Sequence, residues 1–433
     1  MAVTPVITRT LSADHITPVR AYAALRSHAK ERSSFLIEAA PFGAGGGRYS
    51  FLGYRARREA TYPGGGGLLR LLADDLKSEE VPESFAARMS QGLYGFISYD
   101  FVHALHKVEP WANEGEHARM MRDATVVVFD HAAQTLTIAG ASPGAVNRCE
   151  WEMTHGPEMR ALAVPDRGHM PSGLDIPQSD AAFAEKVKKA LRFLAASEQE
   201  RLILARTFRA PERGADMLDI YRALKLLSPS RHHFFFEFGA SPMAEGFCVV
   251  GASSELVARV KDGQVLWNAD GEMKEQDLQI ALREAGYEDL HGISLLRSVF
   301  PIKQVVGSRV PRITEIIRRL ETAPRRIWGG AVGFACPGGD YEFVLARTAI
   351  VQRHGYVEVL GATDILQDTD AESSALKTVE DARSALAAIR AGQDAAVQRE
   401  EEAEKKRIRE AEAAAKAAEA LAAVKEGEEP PKN

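Results

Sequence analysis

The sequence predicts an α/β (α+β) protein in which antiparallel strands carry helices laid against them. Three observations predict it. Residues 326–389 alternate apolar, Gly-punctuated runs with turn signals and close on an amphipathic stretch. Hairpin patterns recur in 124–139 and in 256–267. Stretches such as 181–196 and 217–227 repeat their apolar residues at helical spacing.

Bulk numbers narrow the class of protein. The chain has 433 residues, 45% hydrophobic and 26% charged, enough for a large core or for two or three domains. A net charge of −6 gives no global basic field for nucleic acid or anionic membrane. Cys149, Cys248 and Cys336 lie far apart with no CxxC pair, which fits a reduced, cytoplasmic compartment. No apolar run reaches membrane-spanning length, and the first residues lack the pattern of a signal peptide.

Taken in order, Pro18–Leu25 begins a helix, and Ser33–Glu38 and Arg48–Tyr54 read as strands around a glycine loop at 43–47. Gly64–Gly67 has no strand-to-helix context and reads as a flexible loop rather than a phosphate cradle. Gly92–Val102 reads as a strand and the start of a helix. His103 and His106, one turn apart there, lack metal-ligand partners and read as ordinary helix histidines. Ala124–His131 and Gln134–Ala139 form a hairpin, and 140–178 is a polar, Pro/Gly-containing connection. Ala181–Ala196 is a helix, Arg201–Phe208 a strand and Met217–Leu227 a helix. His233–Phe238, Phe247–Val250, Leu256–Val260 and Val265–Trp267 are strands. Ile327–Phe334, Glu342–Gln352 and Tyr356–Leu360 make three more. Thr369–Glu372 has capping-box spacing, with the Thr369 hydroxyl expected to accept from the amide of Glu372. The helix behind it places Leu376, Val379, Ala382, Leu386 and Ile389 on one face, with Gly392 as its stop. Residues 397–425 are Ala/Glu/Lys-rich with no sustained heptad and read as a solvated helix. The last eight residues read as disordered.

Several motifs in this order resemble the chorismate-utilising enzymes, and among them component I of anthranilate synthase. WGGAVGF, ARTAIV, VLGATDIL and KTVEDARSALAAI carry the C-terminal part. ARTF, YRALKLLSPS, FFFEFG and VVGASSELVARVKDGQV carry the middle, and TPVRAYAAL, SFLIEA and GGRYSFLGY the N-terminal lobe. The resemblance implies a sandwich of two large, mostly antiparallel sheets with helices outside. It also implies an N-terminal lobe at 1–140, a connection at 141–178, a chorismate-binding-like lobe at 179–392 and a charged helical tail at 393–433.

The family's reaction removes a hydroxyl from a dicarboxylate. It needs a divalent metal and acid/base groups. In the family an E-x-x-E pair on the final helix supplies two metal ligands; here Ser374 and Lys377 hold those positions. A serine is a weak ligand, and an ammonium repels the cation. Between Glu255 and Phe300 the chain is too short for the family's GTRPRG loop, metal-binding helix and catalytic histidine, and His291 has no assigned role. In FPIKQVVGSRVPR, aligned with FPAGTVSGAPKVR, Lys303, Gln304 and Val306 replace the glycine and hydroxyls. Substrate-side positions that persist are Arg347, Gly330, Gly361, Ala362 and Gly307. Arg347 has two readings, a carboxylate fork or a structural ion pair. Glu38 and Ser50 fall in the segments that form the family's tryptophan pocket, where Ala39 replaces a serine; Glu38 by itself reads as a solvated strand carboxylate.

The resulting expectation is a catalytically degenerate member, a pseudoenzyme, with no cofactor. It would have a ligand-binding, regulatory or scaffolding role, with a glutamine amidotransferase subunit or a small aromatic carboxylate as partner. The alternative is an active chorismate-converting enzyme using Mg²⁺ on relocated acids, Asp364, Asp368, Asp370 or Glu372.

Overall fold

In the computed structural model of the chain, the described residues are 6–29, 32–39, 47–62, 64–78, 80–197, 200–240, 245–261, 264–267, 271–274, 292–307 and 310–425. The expectations for 43–46, 262–263, 268–270, 275–291, 308–309 and 426–433 lie outside them.

The chain runs β1 (Ile7–Ser12), α1 (Pro18–Ser27), β2 (Ser34–Ala39), β3 (Tyr49–Tyr54), β4 (Arg58–Tyr62), α2 (Leu68–Asp75), α3 (Phe85–Ser90), β5 (Leu93–Ile97) and α4 (Phe101–His106). It continues through β6 (Ala118–Arg122), β7 (Thr125–Asp130), β8 (Thr135–Gly140), α5 (Pro143–Thr154), α6 (Asp180–Ala195), β9 (Leu202–Pro211) and α7 (Met217–Leu227). Then come β10 (His232–Phe238), β11 (Phe247–Ser253), β12 (Leu256–Lys261), β13 (Gln264–Trp267) and β14 (Gly271–Lys274). A 3₁₀ turn at Gly292–Ser298 precedes α8 (Lys303–Val306) and α9 (Val310–Leu320). The chain ends on β15 (Ala331–Ala335), β16 (Tyr341–Leu345), β17 (Thr348–Arg353), β18 (Tyr356–Ile365) and α10 (Ser374–Lys425).

Among the described residues these strands form two antiparallel sheets. One has the order β1-β8-β7-β3-β2-β10-β11-β17-β18-β9, the other β14-β13-β12-β16-β15-β5-β6-β4. In both sheets a block of strands from early in the chain pairs edge to edge with a block from late in the chain, at β2–β10 and at β15–β5, so neither sheet belongs to one half of the sequence. The period of two along a strand explains how the sheets stack. In β10, Phe234, Phe236 and Phe238 join the layer that also holds Phe96, Val332 and Phe334 from the smaller sheet. Phe235 points the other way, with Tyr22, Tyr221 and Leu386 from the helices. The architecture is therefore helix, sheet, sheet, helix, as the sequence predicts.

Several local expectations are corrected. The run Glu342–Gln352 is two strands, β16 and β17, that lie in different sheets. The apolar run from Ile327 begins its strand only at Ala331. Residues 140–178 contain α5, capped by Ser142. Gly64–Gly67 does stand between a strand and a helix, β4 and α2. The final helix starts at Ser374, and Asp370, not Thr369, caps it by accepting from Ser373 N at 2.9 Å. Leu376 is 64% exposed, while Ala382, Leu386 and Ile389 are buried. Gly392 does not stop the helix. A Cβ there would overlap the Ile220 side chain of α7, so the glycine admits a close helix crossing.

A buried ion pair ties the layers together. Arg325 and Glu321 are 2% and 5% exposed. Arg325 donates to Glu321 twice, at 2.7 Å each, and to the carbonyls of Val305 (2.6 Å) and Ile203 (2.8 Å). Glu321 also accepts from Ala205 N at 2.9 Å. The guanidinium lies over Tyr99 and Trp328, with centroids at 4.7 and 5.1 Å. The amides of Arg325 and Arg326 donate to Asp100 at 3.1 and 3.2 Å. Close by, His103 and His117 share Glu114. His103 is thus a structural histidine, and His106 pairs with no carboxylate among the described residues.

This cluster can be tested in two ways. Arg325→Met leaves Glu321 buried without its cation, so urea unfolding should show a loss of about 3–5 kcal/mol; a loss under about 1 kcal/mol would refute the role. Burial, with help from Glu114, raises the Asp100 carboxyl to about 6. Burial opposes ionisation of Glu114 too, but the hydrogen bonds from His103 and His117 outweigh it and hold that group at about 2. The raised Asp100 favours the fold while protonated, and that contribution disappears as pH rises through about 6. The depressed Glu114 contributes above its ordinary range, and this is lost as pH falls toward 2. Melting curves should therefore show Asp100→Asn flattening the decline between about pH 4 and 6, and Glu114→Gln flattening the acid limb, each by about 1–2 kcal/mol.

Candidate functional site

The C-terminal strands, the 303–307 segment and α10 meet where the chain passes from one sheet to the other. That passage is Ala346–Arg347, between β16 and β17, so Arg347 stands at the seam. Its guanidinium donates to Asp381 Oδ1 on α10 at 3.2 Å and to the carbonyl of Gln304 at 3.1 Å. The other Asp381 oxygen accepts from Ala362 N at 2.9 Å. One carboxylate of the protein therefore takes both Arg347 and the Ala362 amide. A Cβ on Gly361 would overlap the Thr378 carbonyl, and one on Gly330 the Ile97 carbonyl. Gly307, at φ +114°, sits against the carbonyl of Arg201 and bridges Leu202. The three glycines serve close backbone approach. Lys303–Val306 is a turn of helix whose Val305 carbonyl receives Arg325; Val305 and Val306 are buried, while Lys303 is exposed.

Around this seam the acids are engaged. Asp364 pairs with Arg201 at 2.7 Å, Glu372 with Lys188 at 2.9 Å, and Asp370 caps α10; Asp368 is exposed. Ser374 is buried and its hydroxyl donates to Asp370 O at 2.7 Å, while Lys377 is exposed. Glu255, on the turn from β11 to β12, has a buried Oε2 with no hydrogen-bond partner. Burial raises its carboxyl, Arg347 and Arg201 oppose the rise, and Asp381 adds to it. Among the described residues no group of three His, Cys, Asp or Glu is placed to hold a metal ion.

Glu38 and Ser50 come together elsewhere, in a pocket of about 600 Å³ on the helical side of the larger sheet. Glu38 is 8% exposed, not solvated. It accepts from the Tyr221 hydroxyl and from Lys225 Nζ at 2.7 Å. Ser50 Oγ accepts from Ala39 N at 3.3 Å and meets His131 Nε2 at 2.7 Å. His233 meets the Ser228 carbonyl at 3.0 Å. Burial lowers both imidazoles, against the pull of Glu38. Ile16, Val19 and Phe129 form an apolar wall. Sequence reasoning does not single out Tyr221, Lys225, His131 or His233. The one available signal is Tyr221 and Lys225 four apart on one face of a helix; the strand that brings Glu38 opposite them leaves none.

Comparison with known proteins bears on the family and the fold. The family described as chorismate binding enzyme matches residues 66–269 and 286–426. Component 1 of anthranilate synthase from Streptomyces coelicolor is 24% identical over 462 residues, 88% of each chain. The same protein from Pseudomonas aeruginosa is 25% identical over 463 residues, 82% of this chain and 89% of the other. Among solved structures, anthranilate synthase component I from Streptococcus pneumoniae superposes with a TM-score of 0.63 at 18% identity, over 87% of this chain and 99% of the other. The menaquinone-specific isochorismate synthase of Escherichia coli superposes with a TM-score of 0.61 at 11% identity, over 89% and 95%. These likenesses extend to the fold of two antiparallel sheets with flanking helices.

Proposed function

The chain belongs to the chorismate-binding enzyme family, and on that premise we propose that it keeps the family's scaffold while its own side chains close the reaction site. The observation that carries this is Asp381. Arg347 and the Ala362 amide are donors suited to a ligand carboxylate, and both face an internal carboxylate instead. A chorismate carboxylate would have to displace Asp381 and leave that carboxylate without its two donors beside Glu255. Ser374 and Lys377 do not fit a divalent cation, since one hydroxyl is already donated and the other group is itself a cation.

The proposed role is regulatory or scaffolding, in the cytoplasm and tied to tryptophan and related aromatic biosynthesis. The Glu38–Ser50 pocket would hold a small aromatic carboxylate. Its apolar wall suits a ring, and the ammonium donors of Lys225 not directed at Glu38 suit a carboxylate, whereas Glu38 already accepts from both Lys225 and Tyr221 and offers less to an ammonium group. A glutamine amidotransferase subunit is the protein partner proposed, because the similar proteins are components of such a synthase.

Purified protein incubated with chorismate, Mg²⁺ and ammonia or glutamine should form no anthranilate above a buffer blank. Anthranilate formation would overturn the proposal and favour the relocated acids. Calorimetric titration with anthranilate itself should show saturable binding that weakens about tenfold in Lys225→Met, with tryptophan binding no better than anthranilate. An unchanged affinity in that variant would remove the pocket assignment.

A further inference from the structure

A third concavity lies apart from the seam and the Glu38 pocket. It is a groove of about 590 Å³ between the outer face of α9 and the turn that follows α4. Residues 311, 312, 315, 318 and 319 fall on one side of α9, while Ile313, Ile316 and Ile317 bury the other. Lys107, Arg312, Arg318 and Arg319 line the groove against two carboxylates, Glu109 and Glu315. The chain as a whole carries −6, so this local excess of positive charge runs against the bulk.

The way the guanidinium groups are held separates this groove from an ordinary solvated helix face. Arg318 donates to the carbonyls of Glu109 (3.1 Å) and Pro110 (2.9 Å) and lies 5.5 Å from the Trp111 centroid. Arg312 lies 5.8 Å from the Phe193 centroid and reaches Glu315 only at 3.7 Å. Arg319 pairs with that same Glu315. Lys107 makes no ion pair among the described residues. Carbonyls and ring faces fix the direction of a guanidinium without cancelling its charge. His106 adds a buried Nε2 with no hydrogen-bond partner at the same wall.

We propose that this groove binds a small phosphate-bearing anion of the diphosphate class. The Arg318 fork, held by carbonyls and a ring face, and the exposed Arg312 and Arg319 beside it match phosphate oxygens, and the groove has room for two linked phosphoryl groups with a modest substituent. The test is calorimetric titration of the full chain with inorganic pyrophosphate at about 50 mM salt, where screening is weak. One-to-one binding is expected, weakening about tenfold when salt is raised to about 0.5 M. The double variant Lys107→Glu/Arg319→Glu should bind at least about tenfold more weakly with an unchanged melting curve, since both side chains are exposed. Arg312→Gln, which removes one fork and no buried group, serves if the charge reversal unfolds the chain. Absence of binding, an unchanged affinity in these variants, or equal affinity for citrate would each overturn the proposal.

Discussion

A guanidinium and a carboxylate removed from water together hold this molecule at the point where its layers converge. Arg325 reaches β9 of the larger sheet through Ile203, the 303–306 turn through Val305, and α9 through Glu321. Neither charge could sit there alone, because desolvation of an unpaired ion outweighs what packing returns. The pair therefore fixes three segments relative to one another. Asp100 extends the constraint to the smaller sheet by accepting the amides of Arg325 and Arg326 just after β5. Tyr99 and Trp328 close over the guanidinium and keep the cluster dry.

That anchoring determines what the seam can do. With α8 pinned by Arg325, the Gln304 carbonyl is held where Arg347 can donate to it. With α10 packed against β18 at Gly361, Asp381 is delivered to the other side of the same guanidinium. The result is a set of charges at the seam in which the Arg347 guanidinium and the Ala362 amide share one internal carboxylate. Glu255, raised by burial beside this set, has a carboxylate oxygen that lacks a partner among the described residues.

The Glu38 pocket and the α9 groove differ in kind. The Glu38 pocket is a cleft of mixed character whose carboxylate is matched by Lys225 and Tyr221. The α9 groove is a surplus of cations oriented by ring faces and carbonyls. A neutralised pocket selects by shape and a single polar contact. An oriented cationic groove selects by charge.

The sequence by itself determined most of the elements and the class of fold. Strand alternation in FFFEF, the helical spacing in 217–227 and the turn residues at 337–340 are local properties, and local periodicity reports which face of an element meets a core. Tertiary structure alone decided the rest. One apolar run at 342–352 was divided between two sheets at Arg347, and Gly392 became a helix crossing rather than a helix end. Glu38 met Lys225 across 187 residues, and Arg347 met Asp381 across 34. Those pairings depend on which strands become neighbours. No spacing along the chain encodes that, because the free energy that selects it belongs to burial of the whole interface and not to any one segment.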